Sequence, residues 1–189
     1  MRKKKTLIVA LCLLVAVAVL GVGYALTDQN LVLTGTATIG VSDDFHPHFS
    51  AAECKAVANG ATQRCTGATI GAAATNGGSV TATMAVEMNE KDQTATATFT
   101  LKNFSQTLSA NFATANVVVA ETANGDYFST TTAEAIQTIV RGFGTVAANT
   151  EAGSFDVTVT LDKENITAEA LTGTFTVTIS NITAVQPTS

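Results

Sequence analysis

Tryptophan is absent from this 189-residue sequence, there are only two histidines, and charged residues make up just 13% of the chain. These absences exclude several kinds of chemistry. No His-Glu-x-x-His helix or other catalytic metal-ligand set is present, and no Gly-x-Ser-x-Gly elbow. No glycine-rich phosphate loop follows a strand and opens a helix. A Ser–His pair would have to recruit His46 or His48, the only imidazoles. Basic charge is scarce outside the first five residues. Without Arg2, Lys3, Lys4 and Lys5 the chain has six Lys and Arg against fifteen Asp and Glu, a formal charge of −9. Such a surface repels phosphate, so neither nucleic acid nor an anionic lipid surface is an expected partner. No cofactor is expected, and no enzymatic activity.

What is present begins with export. The four basic residues precede an almost wholly apolar run, Thr6–Leu20, with small residues at Gly21, Gly23 and Ala25. A charged segment, an apolar segment and a small-residue exit make a secretory signal. Residues 1–25 are expected to be removed between Ala25 and Leu26, with signal peptidase a transient partner. The membrane is then met only through the signal segment before cleavage. A permanent anchor is the competing reading, since the run approaches the ~20 residues that span a bilayer. Cys12 is not read as a lipidation site, because Leu11 stands where a small residue is required. Cys54 and Cys65 remain after cleavage. In an oxidising compartment an even count favours a disulfide closing a short loop.

The remainder alternates with a period of two. Leu31, Leu33, Gly35, Ala37 and Ile39 share one face of a segment within residues 26–40. Val80, Ala82, Met84, Val86 and Met88 share another face. Ala95, Ala97, Phe99 and Leu101 follow, then Phe155, Val157, Val159 and Leu161, then Leu171, Phe175, Val177 and Ile179. Threonine fills the opposite faces, the signature of half-buried strands. "NVVVAE" is short enough to be buried on both faces. "VTATMAVEMNEKDQTATATFTLKN" and "FDVTVTLDKENITAEALTGTFTVTISN" form a weak repeat, each reading as a hairpin. The expected fold is all-β, a jelly-roll-like antiparallel sandwich over residues 41–189.

Two stretches break the alternation. "SAAECKAVANG" pairs Ser50 with Glu53 in a capping-box pattern and ends at Gly60. "TTAEAIQTIVRGFG" pairs Thr131 with Glu134, stops at Gly142, and places Ile136, Ile139, Val140 and Phe143 on one helical face. Two short decorating helices are expected. The first carries Cys54 in a helical, disulfide-bearing insertion of about residues 50–66. Thr66–Ser79 reads as a flexible connection.

The strongest polar cluster is "DDFHPHF", with Asp43, Asp44, His46 and His48 as a weak candidate for Zn²⁺ or Cu²⁺. The preferred reading is a structural or linker segment. Asn103, Asn165 and Asn181 begin Asn-x-Ser/Thr triplets, which arise easily in such a composition and are treated as incidental.

"YALTDQNLVLTGTATIG" resembles the exit of SipW-type signal peptides, where a small residue precedes an apolar one, then Asp, then a strand passing through Gly. Ala25, Leu26, Asp28 and Gly35 match that order. "ATATFTLKNFSQTLSANF" and "FDVTVTLDKENITAEALTGTFTVTISN" are similar to the strand–Asn–Ser–strand segment and closing pair of the TasA/camelysin family of secreted matrix proteins of Gram-positive bacteria. The Cys54–Cys65 segment departs from that pattern. The resemblance implies a secreted jelly-roll subunit that polymerises head to tail into extracellular biofilm-matrix fibres, its partner being itself. Leu31, Leu33, Gly35, Ala37 and Ile39 would form a donor strand seated in the next subunit. Two alternatives stand beside this: a monomeric cell-surface or membrane-anchored adhesion domain, and a secreted camelysin-like metallopeptidase.

Overall fold

The computed structural model describes residues 44–57, 62–72, 78–121, 124–162 and 170–186, all within one compact unit, Gly40–Ser189. The expected signal segment, the candidate donor strand 26–40 with its plugs Leu31, Leu33, Gly35, Ala37 and Ile39, and Asp43 lie outside the described residues.

The fold is an all-β antiparallel sandwich. Its strands are β1 (Pro47–Cys54), β2 (Cys65–Ile70), β3 (Val80–Met88), β4 (Thr94–Asn103), β5 (Ser109–Asn111), β6 (Asn116–Glu121) and β7 (Phe128–Thr130), then, after helix α1 (Ala133–Gly142), β8 (Thr145–Val146), β9 (Thr150–Leu161), β10 (Leu171–Ser180) and β11 (Thr183–Val185). One sheet has the order β1-β4-β9-β7 and the other β2-β3-β10-β6; a small third sheet, β11-β5-β8, completes the fold.

The alternation read from the sequence is the alternation of burial. Val80, Ala82, Met84, Val86 and Met88 are all buried, as are Ala95, Ala97, Phe99, Leu101, Phe155, Val157, Val159 and Leu161. Phe175, Val177 and Ile179 join them, while Leu171 is only half-buried at the strand's start. These inner faces merge into one core. Phe49, Phe99 and Phe155, from three adjacent strands, pack with centroids 5.9–6.2 Å apart. Phe128 meets Phe175 edge-on across the sheets at 5.7 Å.

Neither expected hairpin forms. β3 and β4 belong to different sheets, and so do β9 and β10. Each repeat crosses the sandwich, so its two apolar faces bury against each other through the core. Hydrogen bonding runs between the repeats instead: β3 pairs with β10 and β4 with β9. The Asn89–Gln93 turn suits such a crossing. The Gln93 side chain accepts from the amides of Asn89 and Glu90, and Asp92 takes a left-handed φ of 64°.

One of the two expected helices is present. Residues 50–54 lie in β1, paired with β4. A capping pattern with no apolar stripe at helical spacing behind it does not offset nucleation, whereas an extended segment buries Phe49 and brings Cys54 to the neighbouring sheet. The connection expected to be flexible, Thr66–Ser79, likewise begins inside a strand, β2 at Cys65–Ile70. α1 starts at N-cap Thr132, whose hydroxyl accepts from the Ala135 amide, one residue later than the Thr131 pattern suggested. Ile136 and Val140 are buried; Ile139, at the rim of the stripe, is exposed. Gly142 is still helical, and the left-handed turn falls at Gly144, φ 61°. β6 is an edge strand with Val117 buried and Val118 exposed, not buried on both faces.

Candidate functional site

The two sheets meet at two long sides. On one of them β1 runs close beside β2, although the two belong to separate hydrogen-bonded ladders. A shallow groove of about 490 Å³ runs along them, lined by Ser50, Ala51, Ala52 and Glu53 on one side and Ala68, Thr69 and Ile70 on the other.

Register shows which side chains look inward. Ala52 stands opposite Phe99 and Cys54 opposite Ala97. Ala68 stands opposite Met84 and Ile70 opposite Ala82. Directly opposed residues share a sheet face, and these four partners are fully buried. So Ala52, Cys54, Ala68 and Ile70 present core-facing positions to the groove. Three are small. The large one, Ile70, is 42% exposed, and no described element covers it.

The backbone is available too. Lys55 N–H donates to Thr96 O, and Gly71 N–H to Thr81 O, both toward the interior of their sheets. Strand alternation then turns the N–H and C=O groups of Ala52 and Cys54, and of Ala68 and Ile70, toward the groove. Bulges at Ser50 and Thr66 shift the register of both strands, a common device at sheet edges.

Each end of the groove has a crossbar. At one end Cys54 and Cys65 form a disulfide, Cα–Cα 5.5 Å. It is the expected pair, but Cys54 is carried by a strand rather than a helix. At the other end His48 Nε2 lies 2.9 Å from Gly71 O. From His48 to Cys54 the strand advances six residues, about 20 Å at ~3.3 Å per residue.

The segment leading into β1 is anchored, the structural rather than the linker half of its reading. Phe45 and Pro47 are buried. The Asp44 carboxylate accepts from the Thr107 hydroxyl at 2.7 Å and from the Gln106 and Thr107 amides, each at 2.8 Å. The hydroxyl first and then the two amides hold its pKa down to about 2. His46 N–H donates to Ser105 Oγ, and His46 O accepts from Phe104 N–H.

These bonds also bear on the metal candidate. Asp43 lies outside the described residues. Asp44 spends its oxygens on loop donors. Both ring nitrogens of His48 face carbonyl oxygens, Phe49 O at 2.7 Å and Gly71 O at 2.9 Å. Among the described residues no three His, Cys, Asp or Glu side chains converge as metal ligands.

The anchor's hub was read in the sequence only as the start of an incidental triplet. Asn103, fully buried, donates through Nδ2 to the carbonyls of Leu108, Val146 and Ala147 and accepts from Ser105 N–H through Oδ1. This is the asparagine of the first Asn-x-Ser triplet, and its burial closes it to modification in the folded chain. Its one sequence signal is position: it occupies an inward place at the end of an otherwise apolar alternation.

Comparison with known proteins returns no matching family model, no matching curated protein and no matching solved structure.

Proposed function

We propose that this chain is an exported structural subunit that assembles head to tail into extracellular matrix fibres, residues 26–40 of one copy lying against the shallow groove along β1 and β2 of the next. The observation that carries this reading is Ile70: it stands on the core-facing side of its sheet yet is 42% exposed, at an edge where neither strand has an outer ladder partner among the described residues. An unpaired edge beside an apolar slot is a template for an added strand. Small Ala52 and Ala68 leave room for larger plugs. Leu33 to Ile39 spans six residues, as does the groove from crossbar to crossbar. Burying one leucine or isoleucine contributes roughly 1.5–3 kcal/mol, so Leu31, Leu33 and Ile39 with main-chain pairing suffice for a long-lived contact. Donor and acceptor are different surfaces, so the contact propagates without closing. A disulfide is consistent with export to an oxidising compartment. No catalytic role is proposed for His46 or His48, whose segment is occupied in holding β1 to the β4–β5 loop.

The test is filament formation by the chain starting at residue 26, followed by negative-stain imaging and sedimentation. Leu33→Asp drives an unpaired carboxylate into an apolar slot and should abolish filaments. Ile70→Lys, on the acceptor side, should do the same while changing stability by no more than about 0.5 kcal/mol, because the site is exposed. Thr34→Asp, on the opposite strand face, should be milder. Filaments of normal length from Leu33→Asp would overturn the donor-strand contact, and no filaments from the unaltered chain would favour a monomeric surface domain.

A further inference from the structure

We propose that Asn124 is a site of spontaneous modification: its carboxamide reacts first with the amide nitrogen of Gly125 and then with water, and the change unlatches the corner where the chain crosses from β6 to β7. The inference is independent of the donor-strand reading. Asn124 is exposed, takes a left-handed φ of 63°, and stands between β6 and a single 3-10 turn, Gly125–Tyr127. The ladder between β6 and β10 ends at the pair Glu121 and Phe175. Asn124 and Thr172 each lie three residues beyond that pair and so remain opposite one another. There Asn124 Nδ2 donates to Thr172 O at 2.9 Å. The side chain carries the ladder one bond past its backbone end. Asn124 O in turn accepts from Tyr127 N–H, and Tyr127 O from Asp162 N–H, both at 2.9 Å. One residue therefore ties β10 of one sheet, through the 3-10 turn, to the residue that follows β9 in the other.

The residue after Asn124 makes the reaction accessible. Gly125 has no Cβ to crowd its own nitrogen, and its backbone is the freest of any residue. That nitrogen, giving up its proton to base, attacks Asn124 Cγ. The new C–N bond closes a succinimide ring, and ammonia leaves. Water then opens the ring at either carbonyl, giving Asp or iso-Asp at position 124. The net change consumes one water and releases one ammonia, with no oxidant, reductant or further reactant. Either product replaces the Nδ2 donor with a carboxylate, which sets acceptor against acceptor at Thr172 O. Iso-Asp also lengthens the backbone of the turn. The new charge arrives beside Glu121 and Asp126, where burial and then the Asp126 charge already push the Glu121 carboxyl up, so a third carboxylate adds repulsion. While intact, the bond to Thr172 O restrains the carboxamide, and reaction follows local opening of the corner. Two more Asn-Gly pairs, Asn59–Gly60 and Asn76–Gly77, lie outside the described residues.

The experiment ages the chain from residue 26 at mildly alkaline pH, folded and in urea. Asn124→Gln serves as the slow-reacting control and Asn124→Asp supplies one product directly. Peptide mapping by mass spectrometry, with iso-Asp detection, follows position 124 apart from the other two pairs. Amide hydrogen exchange follows the corner. Position 124 should convert in both samples, about tenfold more slowly in the folded one, and Asn124→Gln should gain no acid there. In the aged wild type and in Asn124→Asp, the Tyr127 and Asp162 amides should exchange tenfold or more faster. Amides in the β4–β9 and β3–β10 ladders should be unchanged. A folded chain still intact at position 124 once the unfolded chain has fully converted would overturn the site. Converted chain whose Tyr127 and Asp162 amides exchange as before, or loss of the whole fold in Asn124→Asp, would overturn the local latch.

Discussion

The two long sides of the sandwich face the same physical problem and treat it differently. On the side of β6 and β7 the exposed edge is covered. Helix α1 packs against β6 and β9, burying Ile136 and Val140. It also supplies side chains to the unpaired backbone: Gln137 Oε1 accepts from Val117 N–H at 3.1 Å, and Arg141 Nε donates to Ala115 O at 2.8 Å. Gly153 makes room nearby. Its φ is 148°, and a Cβ there would lie 2.6 Å from the Phe143 ring. On the side of β1 and β2 no described element gives such cover, and Ile70 is exposed. Sheets commonly blunt their edges with charge, bulges or a helix. Among the described residues this molecule covers one edge with a helix and the other not, the asymmetry on which the proposed head-to-tail contact rests.

The sharpest way to break that comparison is to uncover the closed side. Ile136→Ala removes the buried anchor of α1 and should cost about 2–5 kcal/mol, read by urea unfolding. It should also expose β6 as a second adhesive edge, seen as increased light scattering below the unfolding midpoint. A variant that unfolds and scatters like the wild type would reduce the helix to decoration. A smaller effect separates the two sides by a matched truncation. Gln137→Ala leaves the Val117 amide without its acceptor and should cost about 1 kcal/mol or more. Thr69→Ala, exposed on the open side, should stay within about 0.5 kcal/mol. Equal costs would remove the energetic distinction between the sides.

Acid should distinguish them most gently. Near the open side, Asp44 is held to a pKa of about 2 by the Thr107 hydroxyl and neighbouring amides. Asp156 is lowered in the same direction by its hydrogen bond from Lys55 and then by Thr98. A carboxylate whose folded pKa is depressed stabilises the fold above its unfolded value near ~3.9 and loses that contribution as pH falls. For Asp44 the window runs from about pH 4 down to about 2. On the closed side Glu121 goes the other way: burial and then the charge of Asp126 raise its pKa. It therefore opposes folding increasingly as pH rises through the carboxylate range, and this cost vanishes on protonation. Hydrogen exchange at the Gln106 and Thr107 amides should accelerate between pH 4 and 2 in the wild type. In Asp44→Asn it should already be fast at pH 5 and change little. Identical profiles for the two proteins would show that Asp44 does not hold the anchor.

Much of this architecture could be read from residue order, and the misreadings share a cause. Strand faces were legible because each inward residue alternates with a threonine or another polar group. The cysteine pair was legible because only two remain once Cys12 is set aside with the expected signal. The helix expected at Ser50 failed because a capping pattern is local, whereas Phe49 and Cys54 found partners on β4 and β2. Both hairpins failed because alternating strands joined by a polar turn serve equally well to pair side by side or to cross a core. Asn103 was overlooked because its partners, Leu108, Val146 and Ala147, include two more than forty residues away.

The sequence by itself determined which residues face the core, that the chain is a β-sandwich and which sulfurs pair, since period, composition and count are properties of the chain alone. Only the tertiary structure decided which strands lie beside which, that α1 covers the β6 edge, and that Asp44 and His48 brace a strand. Those outcomes depend on contacts between distant segments. An alternating strand carries the same apolar face whether it pairs with its neighbour or packs across from it, and only the assembled core distinguishes the two.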